Sequence, residues 1–113
     1  MDTQILDQTK TEAFAGEMLG LLNHSCLGLL VSIGHQTGLF ETLAELPTAT
    51  SGQIAAAAGL EERYVREWLG GMTVGRVVEY DPLAGAFHLP PEHAASLTRA
   101  AGPDNLAFFA QYI

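Results

Sequence analysis

The stretch from Thr50 to Val74, TSGQIAAAAGLEERYVREWLGGMTV, predicts two short helices joined by a tight turn. Thr50 is followed three residues later by Gln53, the capping-box pattern that starts a helix. Gly59 ends the first helix with a residue that tolerates a left-handed backbone. The stretch therefore predicts a helix-turn-helix.

The second of these helices carries one apolar stripe. Glu61 and Glu62 stand at its start, where the helix dipole favours negative charge. The stripe follows at helical spacing and consists of Tyr64, Val65, Trp68, Leu69 and Met72. We expect the stripe to hold the domain together, with Arg63 and Arg66 on the solvated face.

Beyond the second helix the apolar pattern alternates, which is typical of strands. Val78 and Tyr80 share one side of a predicted strand, as do Phe87 and Leu89 of the next. The sequence DPLAG at residues 81–85 lies between them and favours a turn by its composition. A helix-turn-helix followed by a β-hairpin is the winged-helix pattern.

Residues 9–46, upstream, are predicted to be helical. Thr9 and Glu12 form another capping-box pair, so a helix is expected to begin there. A break is expected at residues 23–25, where Ser25 could cap a second helix. Gly38 is the predicted stop, and a short third helix ends before Pro47.

The predicted fold is mainly α, a winged helix-turn-helix with a small β-hairpin wing and additional N- and C-terminal helices. One domain is expected over residues 1–113, with N-terminal dimerisation helices at 9–46 and the winged helix at 48–90. Residues 103–113 predict the start of a C-terminal helix without a stop signal. We therefore expect a larger protein to continue beyond Ile113.

Composition narrows the possible partners. Five Lys and Arg stand against thirteen Asp and Glu, a formal net charge of -8, which opposes nonspecific attraction to nucleic acid or anionic membranes. Cys26 is the single cysteine and sits in an apolar run, so a buried, unpaired thiol is expected. The apolar run at residues 26–34 is shorter than a membrane span, and no signal peptide is evident. A cytoplasmic protein is expected.

A row of small residues marks the first predicted helix. Gly16, Gly20, Gly28 and Ser32 recur at steps of four, and His24 lies in the same row. Small residues allow another backbone to approach closely, either within the domain or across a subunit interface, and both interpretations stay open. The candidate dimer-interface residues are Gly16, Leu19, Gly20, Asn23, Leu27, Gly28 and Ser32.

The motifs of catalysis and metal binding are missing from the sequence. The four histidines lack the close spacing of a metal site, and no nucleophile motif, zinc motif or phosphate loop is present. We expect no catalytic, cofactor-binding or metal residues in this chain. Direct DNA binding is the alternative function, with phosphate contacts from Arg63, Arg66 and Arg76. Residues 48–90 nevertheless carry three basic and five acidic side chains, which makes nucleic acid an unfavoured partner.

Several segments together resemble a known family. They are SIGHQTGLF at residues 32–40, IAAAAGL at 54–60, ERYVREWL at 62–69, VVEY at 77–80 and HLPPEHA at 88–94. These resemble the N-terminal winged-helix domain of bacterial class I S-adenosylmethionine-dependent methyltransferases, often labelled transcriptional regulators. The resemblance covers most of the chain from Leu19 onward.

The resemblance implies a dimerisation domain that precedes a Rossmann-like catalytic domain. In such proteins the N-terminal helices of two subunits intertwine and help to wall the substrate pocket. This implies a homodimer, with His24 as a candidate pocket residue in the parent protein. S-adenosylmethionine and a small-molecule substrate are implied only for a parent that has the catalytic domain, whose glycine-rich cofactor motif is missing from this sequence.

Overall fold

The structure, a computed structural model, describes residues 5–112. Its α-helices, in chain order, are α1 (Gln8–Thr37), α2 (Leu39–Glu45), α3 (Ser51–Ala58), α4 (Glu62–Val74) and α5 (Pro91–Ala94). Its strands are β1 (Glu79–Asp81) and β2 (Ala86–His88), and 3₁₀ segments cover Arg99–Asp104 and Ala107–Tyr112. The predicted mainly helical winged helix-turn-helix with a small hairpin is confirmed.

Helix α1 begins two residues earlier than predicted. Asp7 is the N-cap, and its carboxylate accepts a hydrogen bond from the Lys10 backbone N–H at 3.2 Å. The predicted capping role of Thr9 is wrong, because Asp7 is the residue whose side chain accepts from the first turn and Thr9 lies inside the helix.

Helix α1 is also continuous where a break was predicted. The Ser25 hydroxyl donates to the Leu21 carbonyl at 3.0 Å, one turn back in the same helix. Ser25 therefore does not cap a new helix, because its hydroxyl is satisfied within α1. The helix ends at Gly38, whose φ of 77° gives the left-handed cap that was predicted.

The helix-turn-helix forms from α3 and α4 as its local signals predict. The Thr50 hydroxyl accepts from the Gln53 N–H at 3.2 Å, and the Gln53 side chain accepts from the Thr50 N–H at 3.0 Å. Gly59 makes the turn with φ 69°. The Ser51 hydroxyl also donates to the Glu62 carboxylate, which ties the start of α3 to that of α4.

The core is centred on Trp68 of α4. Its indole N–H donates to the Leu30 carbonyl of α1 at 2.8 Å, and its ring packs against Phe40 of α2 with centroids 5.3 Å apart. Gly34 makes this close approach possible, since a Cβ there would lie 2.6 Å from atoms of both rings. The other large buried side chains are Leu39, Leu43, Ile54, Val65, Leu69, Met72, Val78 and Leu89.

Two residues expected inside the domain lie at its surface. Tyr64 is 68% exposed, because Val65, Trp68 and Met72 already fill the inward face of α4. The expectation that Tyr64 helps to hold the core is therefore wrong. Cys26 is exposed on α1 instead of buried.

The wing is a short antiparallel hairpin. β1 and β2 pair with Tyr80 opposite Phe87, and their rings pack 4.8 Å apart. Of the two residues predicted to share a side, Val78 is buried whereas Tyr80 is half exposed beside Phe87. Ala49 adds a third, single-residue strand through two hydrogen bonds with Phe87, of 2.7 and 3.0 Å.

The C-terminal segment differs from the predicted α-helix. It forms 3₁₀ turns because Gly102, at φ 60° and ψ -126°, bends the chain just before Pro103. A second 3₁₀ segment begins after Asn105, whose side-chain oxygen accepts a hydrogen bond from the Phe108 N–H at 3.4 Å. The end of the predicted helix, Ile113, lies outside the described residues.

We predict that Gly34→Ala lowers the free energy of unfolding by about 1–3 kcal/mol, because the added methyl group forces Phe40 and Trp68 apart. Gly70→Ala is the matched control within α4, where a Cβ meets nothing within 4 Å. It should raise the free energy of unfolding by about 0.5–1 kcal/mol. Urea denaturation followed by Trp68 fluorescence measures both. Equal stability of Gly34→Ala and wild type would contradict the packing described.

Candidate functional site

The N-terminal half of α1 projects from the body of the domain. The molecule extends 62 × 35 × 24 Å and its radius of gyration is 18.0 Å. A compact domain of this length would have a radius of gyration of about 13 Å. The difference arises because only the C-terminal half of α1 packs against α4, at Leu27 and Leu30.

This projecting helix exposes large apolar side chains. Those of α1 that are more than one-third exposed are Phe14, Met18, Leu19, Leu21, Leu22, Leu29 and Ile33. At about 100° per residue, five of them fall within an arc of about 100° on one side of the helix. We call these five the α1 stripe: Phe14, Met18, Leu22, Leu29 and Ile33.

The α1 stripe runs into an apolar groove at the start of α4. The groove has a volume of about 210 Å³ and lies between Ile33 and the exposed pair Leu60 and Tyr64, with Trp68 at its base. Stripe and groove therefore form one continuous apolar surface, much larger than the scattered apolar residues usual on a protein surface.

The structure divides the candidate interface residues into two groups. Gly16, Leu19 and Gly20 lie on the projecting half of α1, where a Cβ on either glycine would meet nothing within 4 Å. These three positions are open to another molecule.

The remaining candidates lie closer to the domain's own packing. Leu27 covers Gly75 of the same chain, and Ser32 is buried, with its hydroxyl accepting from Gln36 at 2.9 Å. Asn23 is exposed beside a shallow cavity at the end of α4, and Gly28 is half-buried. For Ser32, the buried member of the small-residue row, the structure thus supports the intradomain interpretation.

The sequence analysis did not select the α1 stripe as a site. The signal was present in the spacing, since Phe14, Met18 and Leu22 recur at steps of four. Such a pattern usually indicates a face turned into a domain's own core. Only the structure shows that α4 ends before it can cover this part of α1.

The candidate DNA-contacting residues lie at the surface but do not form a basic patch. Arg66 is paired with Glu62 at 3.9 Å, and Arg63 stands between Glu62 and Glu67 along the same helix. Arg76 lies apart from both, in the turn after α4, with φ 62°. Alternating charges of this kind give little net attraction for phosphates.

A family comparison identifies the domain. The sequence profile of the Rv2258c-like winged HTH domain matches residues 25–99, about two thirds of the chain. The chain belongs to this family. No curated protein sequence matches it significantly.

Solved structures with the same fold include the N-terminal parts of methyltransferases. The winged HTH domain matches mitomycin 7-O-methyltransferase MmcR with a TM-score of 0.71 and 23% identity, over 92% of this chain and 30% of that one. Human N-acetylserotonin methyltransferase in complex with SAM matches with a TM-score of 0.70 and 16% identity, over 98% and 31%. PigF with SAH matches with a TM-score of 0.69 and 20% identity, over 96% and 29%.

These matches show the fold of the winged HTH domain. The chain spans less than a third of the length of each of these methyltransferases. In fold it is similar to the N-terminal parts of such chains. Among residues 5–112 no cluster of three or more His, Cys, Asp or Glu side chains could hold a metal ion.

Helix α1 of the winged HTH domain is long and apolar enough to cross a membrane by length and composition alone. A core helix that awaits a protein partner has the same properties, so the length does not decide between them. His24, the candidate pocket residue, is exposed on this helix.

We predict that the winged HTH domain does not bind duplex DNA. A labelled mixed-sequence duplex at about 50 mM salt should show no anisotropy change up to about 10 μM protein. The double variant Glu61→Lys and Glu67→Lys is a positive control, since it places positive charge at the N-cap and on the exposed face of α4. Wild-type binding that weakens steeply with salt and is lost in Arg63→Ala would support the DNA-binding alternative instead.

Proposed function

We propose that this chain is the self-association module of an S-adenosylmethionine-dependent methyltransferase and forms a homodimer through α1. The α1 stripe is the observation that carries the proposal. Its side chains are 39–61% exposed, on a face of α1 that the rest of residues 5–112 leaves uncovered. Covering apolar surface is favourable by about 25 cal/mol per Å².

A second copy of the chain is the partner that fits this surface best. Two copies related by a two-fold axis bring identical stripes together, so each covers the other over the same length. Gly16 and Gly20 lie on the side of α1 opposite the stripe, where a Cβ would meet nothing within 4 Å, so they form a separate open face of the helix. The groove between Ile33 and Leu60 offers a place for a side chain of the partner.

The parent protein is proposed from the comparisons. Two of the structural neighbours are described with SAM or SAH, and this chain matches only their N-terminal parts. We therefore place S-adenosylmethionine and the methyl-accepting substrate with a catalytic domain outside these 113 residues. In that parent, His24 is the proposed contribution of α1 to the substrate pocket, and the cytoplasm is the proposed location.

We predict a dimer in sedimentation equilibrium at micromolar concentration, and its loss in Leu22→Glu. A carboxylate in the middle of the α1 stripe would be buried without a partner, which should weaken the dimer at least about 100-fold. Leu83→Glu is the matched control, because Leu83 is 98% exposed on the hairpin turn. It should leave the dimer unchanged.

Two further outcomes are decisive for the homodimer. A wild-type chain that stays monomeric throughout the micromolar range contradicts self-association. Co-sedimentation of that monomer with vesicles containing anionic lipid would assign α1 to a membrane instead.

Gly20→Leu should weaken the dimer only if the small-residue face also lies in the interface. Circular dichroism checks that each variant is folded.

A further inference from the structure

The apolar groove at the start of α4 is large enough to hold a small molecule. It encloses about 210 Å³ and is walled by Ile33 of α1 and by Leu60 and Tyr64. An engineered protein cavity of about 150 Å³ holds one benzene molecule. The groove therefore has room for one ring that carries a short substituent.

Two aromatic side chains line this groove. The Trp68 indole lies at its base, and because its N–H already donates to the Leu30 carbonyl at 2.8 Å, the indole offers the groove only ring atoms. Tyr64 stands on the wall, 68% exposed and outside the core. Aromatic rings pack well against a planar ring and also attract cations. This part of the lining favours a ligand that combines a ring with a positive charge.

Glu61 is the charged side chain of the groove lining within residues 5–112. It is the N-cap of α4, yet its carboxylate makes no capping hydrogen bond. It also has no ion pair in the described part of the chain, whereas the adjacent Glu62 accepts from Ser51 and pairs with Arg66 at 3.9 Å. The Glu61 carboxylate is therefore free to bind a cation at the edge of the groove.

The electrostatic field of the chain favours the same sign of ligand. Over the described residues, no Lys or Arg side chain lines the groove, and the whole chain has a formal net charge of -8. A field of this sign raises the local concentration of cations and lowers that of anions. An ammonium group beside Glu61 would be attracted by the carboxylate and by the chain, and a carboxylate ligand would be repelled by both.

We infer that this groove binds a small hydrophobic amine in its ammonium form. The ring of the ligand lies between Ile33, Leu60 and Tyr64, above the Trp68 indole. The ammonium group donates to the Glu61 carboxylate. The groove is formed within one copy of the chain, so the site does not depend on the proposed homodimer.

Three probes of similar size test the inference, and the fluorescence of Trp68, the single tryptophan of the chain, reports their binding. At about 20 mM salt, where screening is weak, 4-methylbenzylammonium should bind at least about threefold more tightly than 4-methylbenzyl alcohol. 4-Methylbenzoate, which carries the opposite charge, should bind most weakly. Equal affinities for the ammonium and the alcohol would overturn the role of the charge, and no binding of any probe would overturn the site.

Glu61→Gln and Glu67→Gln separate a contact in the groove from the general field of the chain. Both substitutions remove one negative charge near the start or along the length of α4, but Glu67 does not line the groove. Glu61→Gln should abolish the preference for the ammonium over the alcohol, and Glu67→Gln should keep it. Equal effects of the two substitutions would contradict the contact with Glu61.

Tyr64→Ala locates the ring of the ligand. It should lower the affinities for the ammonium and for the alcohol alike, in a protein that stays folded because Tyr64 lies outside the core. Tyr112→Ala is the matched control, since it removes another largely exposed tyrosine that does not line the groove. Unchanged affinities in Tyr64→Ala would place the probes elsewhere on the molecule.

Leu22→Glu distinguishes this inference from the proposed homodimer. Leu22 does not line the groove, so the variant should bind 4-methylbenzylammonium at least as tightly as the wild type, because no side chain of a partner then competes for the groove. A monomeric wild type that prefers the ammonium would contradict the homodimer and support the site. Loss of binding in Leu22→Glu would instead overturn a site formed within one chain.

Discussion

The contact between Trp68 and Gly34 holds the two parts of the molecule together. A missing side chain on α1 lets the indole of α4 lie directly on the helix backbone, and the indole N–H then reaches the Leu30 carbonyl at 2.8 Å. Phe40 closes the same contact from α2. Because this one junction fixes α1 against the helix-turn-helix, it also determines how much of α1 is left uncovered.

The helix-turn-helix has in this protein a structural role that its name does not suggest. Its inward face supplies Val65, Trp68, Leu69 and Met72 to the core, and its outward face alternates acidic and basic side chains. A surface without net positive charge has little to offer a phosphate backbone. The motif thus orients a long apolar helix, on which the proposed self-association depends.

The elements predicted correctly are those that local chemistry determines. The capping box at Thr50 and the left-handed glycines Gly38 and Gly59 need only neighbouring residues, so their signals survive in any fold. The errors at Ser25 and Tyr64 concern choices between partners, which depend on what packs nearby. For the same reason, the sequence could not distinguish Gly16 and Gly20, which have open space around them, from Ser32, which is buried within the domain.

The continuity of α1 between Gln8 and Thr37 has a mechanical consequence. An unbroken α-helix resists bending, so a displacement at one end is delivered to the other as a tilt or a rotation. The Phe14 end lies in solvent, and the His35 end forms part of the wall of a cavity. A molecule that binds the Phe14 end and tilts α1 therefore also changes the shape of the cavity at the His35 end. The contact with Trp68 is the fixed point about which the helix would turn.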